Sequence, residues 1–222
     1  MSRLRQWHRW FGASWRDFVD GQPVTVEVEM DTSLQQQFLD VVLIRREGEL
    51  TLEMPDVFDD FGAHNLISFK SFWEPLHADA LEELLAHAVA YRKLAGPADG
   101  GLLPRGEVRR YAVSARFPQE MAREVDLRQL GEGVYEARHF TGTLRVIVLG
   151  RLPMTPRNAA ILRFSADEER WRYAERTYVP RSPNGSSLLR ELFEGYQAGG
   201  LPMPYTLEQQ IEDSKKFISE RK

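Results

Sequence analysis

The chain of 222 residues contains no cysteine, which removes a disulfide framework, a thiolate metal site and a thiol nucleophile together. A reducing compartment is the expected home. Long hydrophobic runs are also lacking: stretches such as "RVIVLGRLPM" (145–154) fall far short of the ~20 apolar residues that cross a bilayer. The N-terminal "MSRLRQWHRWFG" has no apolar segment leading to a cleavage site, so a soluble cytoplasmic protein with no membrane partner is expected. Lysine is scarce, with five among the 29 basic residues against twenty-four arginines. Guanidinium forks suit phosphate oxygens. A net charge of −4 nevertheless gives no global attraction for nucleic acid, so any such contact has to be local. No GxxxxGK[ST] loop, Gly-x-Ser-x-Gly elbow or HxxxH pair occurs, which leaves nucleotide hydrolysis by a phosphate loop and serine esterase chemistry without support.

What is present is the composition of a folded protein, with 42% apolar and 28% charged residues, enough to bury a core in one domain with an appended unit. "WHRWFGASWRDFV" (7–19) spaces Trp7, Trp10, Phe11, Trp15 and Phe18 close to the helical period, predicting an amphipathic first helix closed by "DGQP". "VTVEVEM" (24–30) alternates strictly and predicts a strand. "FLDVVLIRR" (38–46) is apolar throughout except for Asp40, as in a strand covered on both faces. "NLISFK" forms a third strand, and "HADALEELLAHAVAYRKL" (77–94) a helix striped by Leu81, Leu84, Leu85, Ala88 and Val89. Beyond the Gly/Pro-rich "AGPADGGLLPRG", "RYAVSARF" (110–117) reads as a strand and 134–152 as a hairpin turning near Thr141 and Gly142. Helices are expected over 157–178, over 187–197 with Ser186 or Ser187 as N-cap, and over 206–221.

The chemistry-bearing residues gather around the third strand. Alternation puts Ser68 and Lys70 on one face and Ile67 and Phe69 on the other. If the second and third strands pair, Asp40 joins them. Charged groups in adjacent apolar strands are costly unless paired or bound to a metal. The plain alternatives are a structural pairing of Asp40 with Arg45 or Arg46, and a local pairing of Lys70 with Glu74. The stretches "WHRWFGAS", "FLDVVLIRR", "GAHNLISFKS", "YRKL", "SARFPQ" and "GVYEARHFTGTLRVIV", together spanning most of 7–176, resemble the PD-(D/E)xK nuclease superfamily. More narrowly, they resemble a bacterial branch near transposon-associated, recombination-promoting nuclease-like proteins.

That resemblance implies an α/β fold, a restriction-endonuclease-like αβββαβ core over 5–117, with residues 118–222 adding a β-hairpin and C-terminal helices packed on it. It implies a metal-dependent DNA endonuclease of mobile-element or genome-maintenance type, using Mg²⁺ or Mn²⁺, with DNA as partner; separately, 206–221 is expected to serve as a packing or homodimer element. Asp40 would be a metal ligand and Lys70 the catalytic lysine, while Ser68 stands where the family has an acid. A hydroxyl is a poor ligand for a hard cation, so the site either recruits another acid or is inactive. Glu27, Glu29, Glu53, Asp56 and Glu74 are the candidates, and Glu27 is taken with Asp40 as the expected metal set. On the following helix Glu83 and His87 stand one turn apart, and His87 is the candidate that leans over the site. His8, His64 and His139 lack ligand spacing, and Arg3, Arg5, Arg9 and Arg16 give the first helix a basic face open to phosphates or to water. The competing expectation keeps the fold without the reaction: a non-catalytic nucleic-acid-binding or protein-binding regulatory protein.

Overall fold

The computed structural model describes residues 3–31, 38–139, 142–182 and 185–200. The expected helix over 206–221 and the turn residue Thr141 lie outside the described residues. Helix α1 (Arg3–Phe18) leads into strands β1 (Val24–Asp31), β2 (Phe38–Arg45) and β3 (His64–Lys70), then helix α2 (Ala78–Leu94) and strand β4 (Val108–Ser114). A short helix α3 (Met121–Glu124) precedes β5 (Leu127–Gly131), β6 (Val134–His139) and β7 (Gly142–Val148). Helices α4 (Ala159–Leu162), α5 (Glu168–Thr177) and α6 (Gly185–Ala198) follow.

All seven strands form one mixed sheet in the order β1-β2-β3-β4-β7-β6-β5, so the protein is α/β as expected. β1, β2 and β3 run antiparallel. α2 then carries the chain back across the sheet so that β4 lies parallel to β3, the connection that parallel pairing requires. The hairpin β6–β7 enters the same sheet through a parallel pairing of β7 with β4, so the second half of the chain extends the sheet.

Both faces of the sheet are covered, and alternation decides which side chains go where. Val41, Leu43, Ile67, Phe69, Tyr111 and Val113 share a core with the aromatic stripe of α1. Val42, Leu66, Ala112 and Val146 share the other with Leu81, Leu84, Leu85, Ala88 and Tyr91 of α2. The stripe read from the sequence is therefore core: Trp7, Trp10, Phe11, Trp15 and Phe18 are all buried, and Phe11 stacks on Phe69 with ring centroids 4.2 Å apart. Each such ring contributes roughly 1.5–3 kcal/mol by leaving water.

Four expectations change. Val89, read as part of the α2 stripe, is 43% exposed and lies off the buried face. The helix expected over 157–178 is two helices, α4 and α5, because Ala166 adopts a positive φ of 56° and Asp167 starts a new N-terminus by accepting a hydrogen bond from the Arg170 amide at 2.9 Å. α6 begins at Gly185, ahead of the serine caps expected for it. β5 had no apolar alternation to announce it, since it is an edge strand whose side chains stay largely in water.

Candidate functional site

β2 pairs with β3 only from Val41↔Ile67 to Ile44↔His64, although β2 itself starts at Phe38 and stays paired with β1. At Asp40 β2 and β3 have parted. The Asp40 carboxylate takes over the missing ladder bond, accepting the Phe69 amide on Oδ2 at 2.7 Å. That restores a partner to a buried backbone donor.

Asp40 Oδ1 is held by His8 Nδ1 of α1, and the other ring nitrogen, Nε2, lies 3.3 Å from Glu74 Oε2. Glu74 sits just past β3, in the turn that leads to α2, and also accepts the Ser71 hydroxyl at 2.8 Å. One imidazole thus spans two carboxylates, with side chains only 14%, 14% and 19% exposed for His8, Asp40 and Glu74. Burial alone would lower the His8 pKa, but bonds and charge from Asp40 and Glu74 override it and raise the pKa to about 10. His8 is therefore an imidazolium at neutral pH. For Glu74 burial pushes the pKa up, and the bonds to His8 and Ser71 with the charge of Lys70 bring it below its ordinary value. The cluster reads as two carboxylates neutralised by one internal cation, with a lysine charge beside them.

The sequence candidates are distributed unevenly around this cluster. Lys70 ends β3, and its charge reaches Glu74, but among the described residues its ammonium makes no hydrogen bond or ion pair. Ser68 is half-buried and does not bond to Asp40. His87 is buried on α2, within reach of the Asp40 charge; burial lowers its pKa, against the raising effect of Glu83 and Asp40, so it is the neutral histidine of the pair. Glu27 sits opposite Val42, two residues along β2 from Asp40, and its charge acts on Tyr91 rather than on the cluster. Asp56 is tied to Thr155, Asn158 and Arg157, and Glu53 faces Arg157 at 3.8 Å. His64 Nδ1 and the Tyr91 hydroxyl are hydrogen-bonded at 2.7 Å. The side chains of Arg3, Arg5, Glu29 and His139 lie outside the described residues.

Of the open alternatives for a second acid, Glu74 is the one brought to Asp40, and the link is His8, which spacing rules for metal ligands pass over. A different signal was available: His8, Phe11 and Trp15 stand at i, i+3 and i+7 on α1, so a histidine occupies a place on the core-facing stripe.

A hard divalent cation needs several unengaged oxygens around it. Both Asp40 oxygens are already in hydrogen bonds, Glu74 Oε2 carries two, and the space between them holds a positively charged ring. Among the described residues no group of three or more His, Cys, Asp or Glu side chains is arranged to hold a metal. The donor set as built does not fit Mg²⁺, because a metal would have to displace His8. No helix among the described residues is long and apolar enough to cross a membrane. Comparison with protein-family models, with curated proteins and with solved structures found no match in any of the three.

Proposed function

We propose that this chain is a nucleic-acid-binding protein with PD-(D/E)xK nuclease architecture, in which a histidine stands in the cation position of a cleavage site. Three features support the architectural part: the order α1-β1-β2-β3-α2-β4, the antiparallel β1–β3 meander with β4 parallel to β3, and the parting of β2 from β3 at Asp40. The observation that carries the functional part is the single imidazolium bridging Asp40 and Glu74. Phosphodiester hydrolysis needs an activated water and positive charge at the developing oxyanion. Here the His8 charge is consumed by the two carboxylates of the protein itself, and Ser68 contributes no acid. Binding without cutting is what this arrangement performs.

A second reading, a working endonuclease, is favoured by one observation: Glu74 supplies the second acid near Asp40 that Ser68 does not, and Lys70 is close enough for its charge to act on Glu74. One pair of measurements separates the two. Fluorescence anisotropy with duplex DNA is expected to give binding that weakens steeply with salt, and a nicking assay on supercoiled plasmid with Mg²⁺ or Mn²⁺ is expected to give intact DNA. Cleavage that disappears in Asp40→Ala and in Lys70→Ala would establish the endonuclease instead. Absence of DNA binding at low salt would remove both readings.

A further inference from the structure

At the other end of α2 lies a group of arginines that the Asp40 cluster does not use. Arg110 is on β4 beside Leu66 of β3, while Lys70 is level with Ser114 four residues further on, a separation of about 13 Å along the strands. By alternation Arg110 shares the face of Ala112, which is buried under α2. The side chain is half-buried, its Nε is out of water with no hydrogen-bond partner, and no described residue bonds or ion-pairs with its guanidinium. The positive charges of Arg105, Arg92 and Arg109 all bear on it.

The neighbouring arginines are accounted for in ways that Arg110 is not. Arg109 donates to the Asp60 and Gly106 carbonyl oxygens and faces the Asp60 carboxylate at 3.7 Å. Arg92 donates through Nε to the Leu103 carbonyl at 2.6 Å and makes no ion pair among the described residues, and Arg105 is exposed. Gly142, the first residue of β7, lies against the Arg110 terminal nitrogens: a Cβ there would stand 3.1 and 3.3 Å from Nη2 and Nη1, so glycine keeps a side chain off that side of the guanidinium. A half-buried guanidinium among like charges is unfavourable by itself, and becomes favourable when an anion with several acceptor oxygens is shared between the forks.

We propose that Arg110, Arg92 and Arg105 form a binding site for a phosphate group. Under the nucleic-acid reading above, on which this assignment of the source rests, the phosphate belongs to the DNA backbone and is held about 13 Å along the strands from the Lys70 end of β3. The same forks accept the phosphate of a small molecule, and the test distinguishes the two sources.

The experiment compares the full-length protein with Arg110→Gln, with Arg105→Gln as an exposed variant that leaves packing alone, and with Arg128→Gln on β5 as a control three strands away. Thermal unfolding is followed with inorganic phosphate against chloride at equal ionic strength, and DNA binding by anisotropy over a salt series. Phosphate is expected to raise the Tm of the wild type and of Arg128→Gln, and to do so less in Arg105→Gln and not at all in Arg110→Gln. For DNA, the slope of log K against log salt is expected to fall by about 1 in Arg110→Gln, because one fewer backbone phosphate is neutralised, and to stay unchanged in Arg128→Gln. A phosphate effect without a DNA effect identifies a small phosphorylated ligand, and it holds even if the chain binds no DNA. A DNA effect confined to the Arg110 and Arg105 variants identifies the backbone. Equal behaviour of the wild type and Arg110→Gln in both arms, or equal losses in Arg128→Gln, overturns the site while leaving DNA binding by another surface intact.

Discussion

Replacing His8 by alanine removes the cation that Asp40 and Glu74 share, and the structure gives the size and pH dependence of the loss. The His8 pKa is raised from 6.5 to about 10 in the folded protein, so protonation favours folding. For a group whose pKa rises on folding, the contribution is complete below the unfolded pKa near 6.5 and disappears as pH climbs through about 10. At ~1.4 kcal/mol per pH unit of displacement, the ceiling is about 5 kcal/mol and the share present at pH 7 is about 4 kcal/mol. This agrees with the ~3–5 kcal/mol typical of breaking a buried ion pair from one side. By pH 10 less than about 1 kcal/mol remains.

Urea denaturation of the wild type and His8→Ala between pH 6 and pH 10 reads this directly. The gap between the two proteins is expected to close by about 3 kcal/mol as pH rises from 7 to 10. Lost packing and carboxylate repulsion do not vary over that range, so a gap that stays constant with pH would refute the imidazolium bridge, even if His8→Ala were destabilised.

Three other substitutions probe how α1 is held in the fold. Phe11→Ala removes the ring stacked on Phe69 and is expected to cost ~3–5 kcal/mol in chemical denaturation; a loss below about 1 kcal/mol would contradict the packing of α1 on β3. Gly12→Ala would drive a methyl into Val28, whose Cγ1 and Cγ2 stand 2.5 and 2.6 Å from the Cβ position. It should destabilise by ~1–3 kcal/mol despite the gain in helix propensity, and Val28→Ala in the same chain should recover most of the loss; an additive double mutant would show that the two do not meet. Asp17 is buried and accepts from the Tyr178 hydroxyl at 2.7 Å, the Arg181 and Ser182 amides at 3.0 and 2.6 Å, and the Ser182 hydroxyl at 2.7 Å. Asp17→Ala is expected to cost about 3 kcal/mol and to raise amide exchange at 181 and 182, whereas unchanged exchange there would show that this carboxylate does not anchor the segment.

Several parts of the fold were legible because they depend on periodicity alone. The stripe of Trp7, Phe11, Trp15 and Phe18, the alternation over 24–30 and the leucines of α2 each force one face inward whatever the rest of the chain does. The break at Ala166 and the edge strand β5 were not, since a single positive φ and a solvated strand leave no hydrophobic signature. Lys70 and Asp40 were legible as costly charges in apolar strands. Glu74 was legible only as one of five candidate acids, and His8 between it and Asp40 was not legible.

By itself, the sequence determined that the chain has an apolar-faced helix, a run of strands and an acid and a lysine within them, because these follow from side-chain spacing within one element. Only the tertiary structure decided what those charges do. His8 meets Asp40 across 32 residues and Glu74 across 66, and no local pattern encodes pairings of that span. Packing α1 against the gap where β2 leaves β3 put an imidazolium between the two carboxylates. Bringing α2 back to β4 left Arg110 within reach of the charges of Arg92 and Arg105, with no ion-pair partner among the described residues.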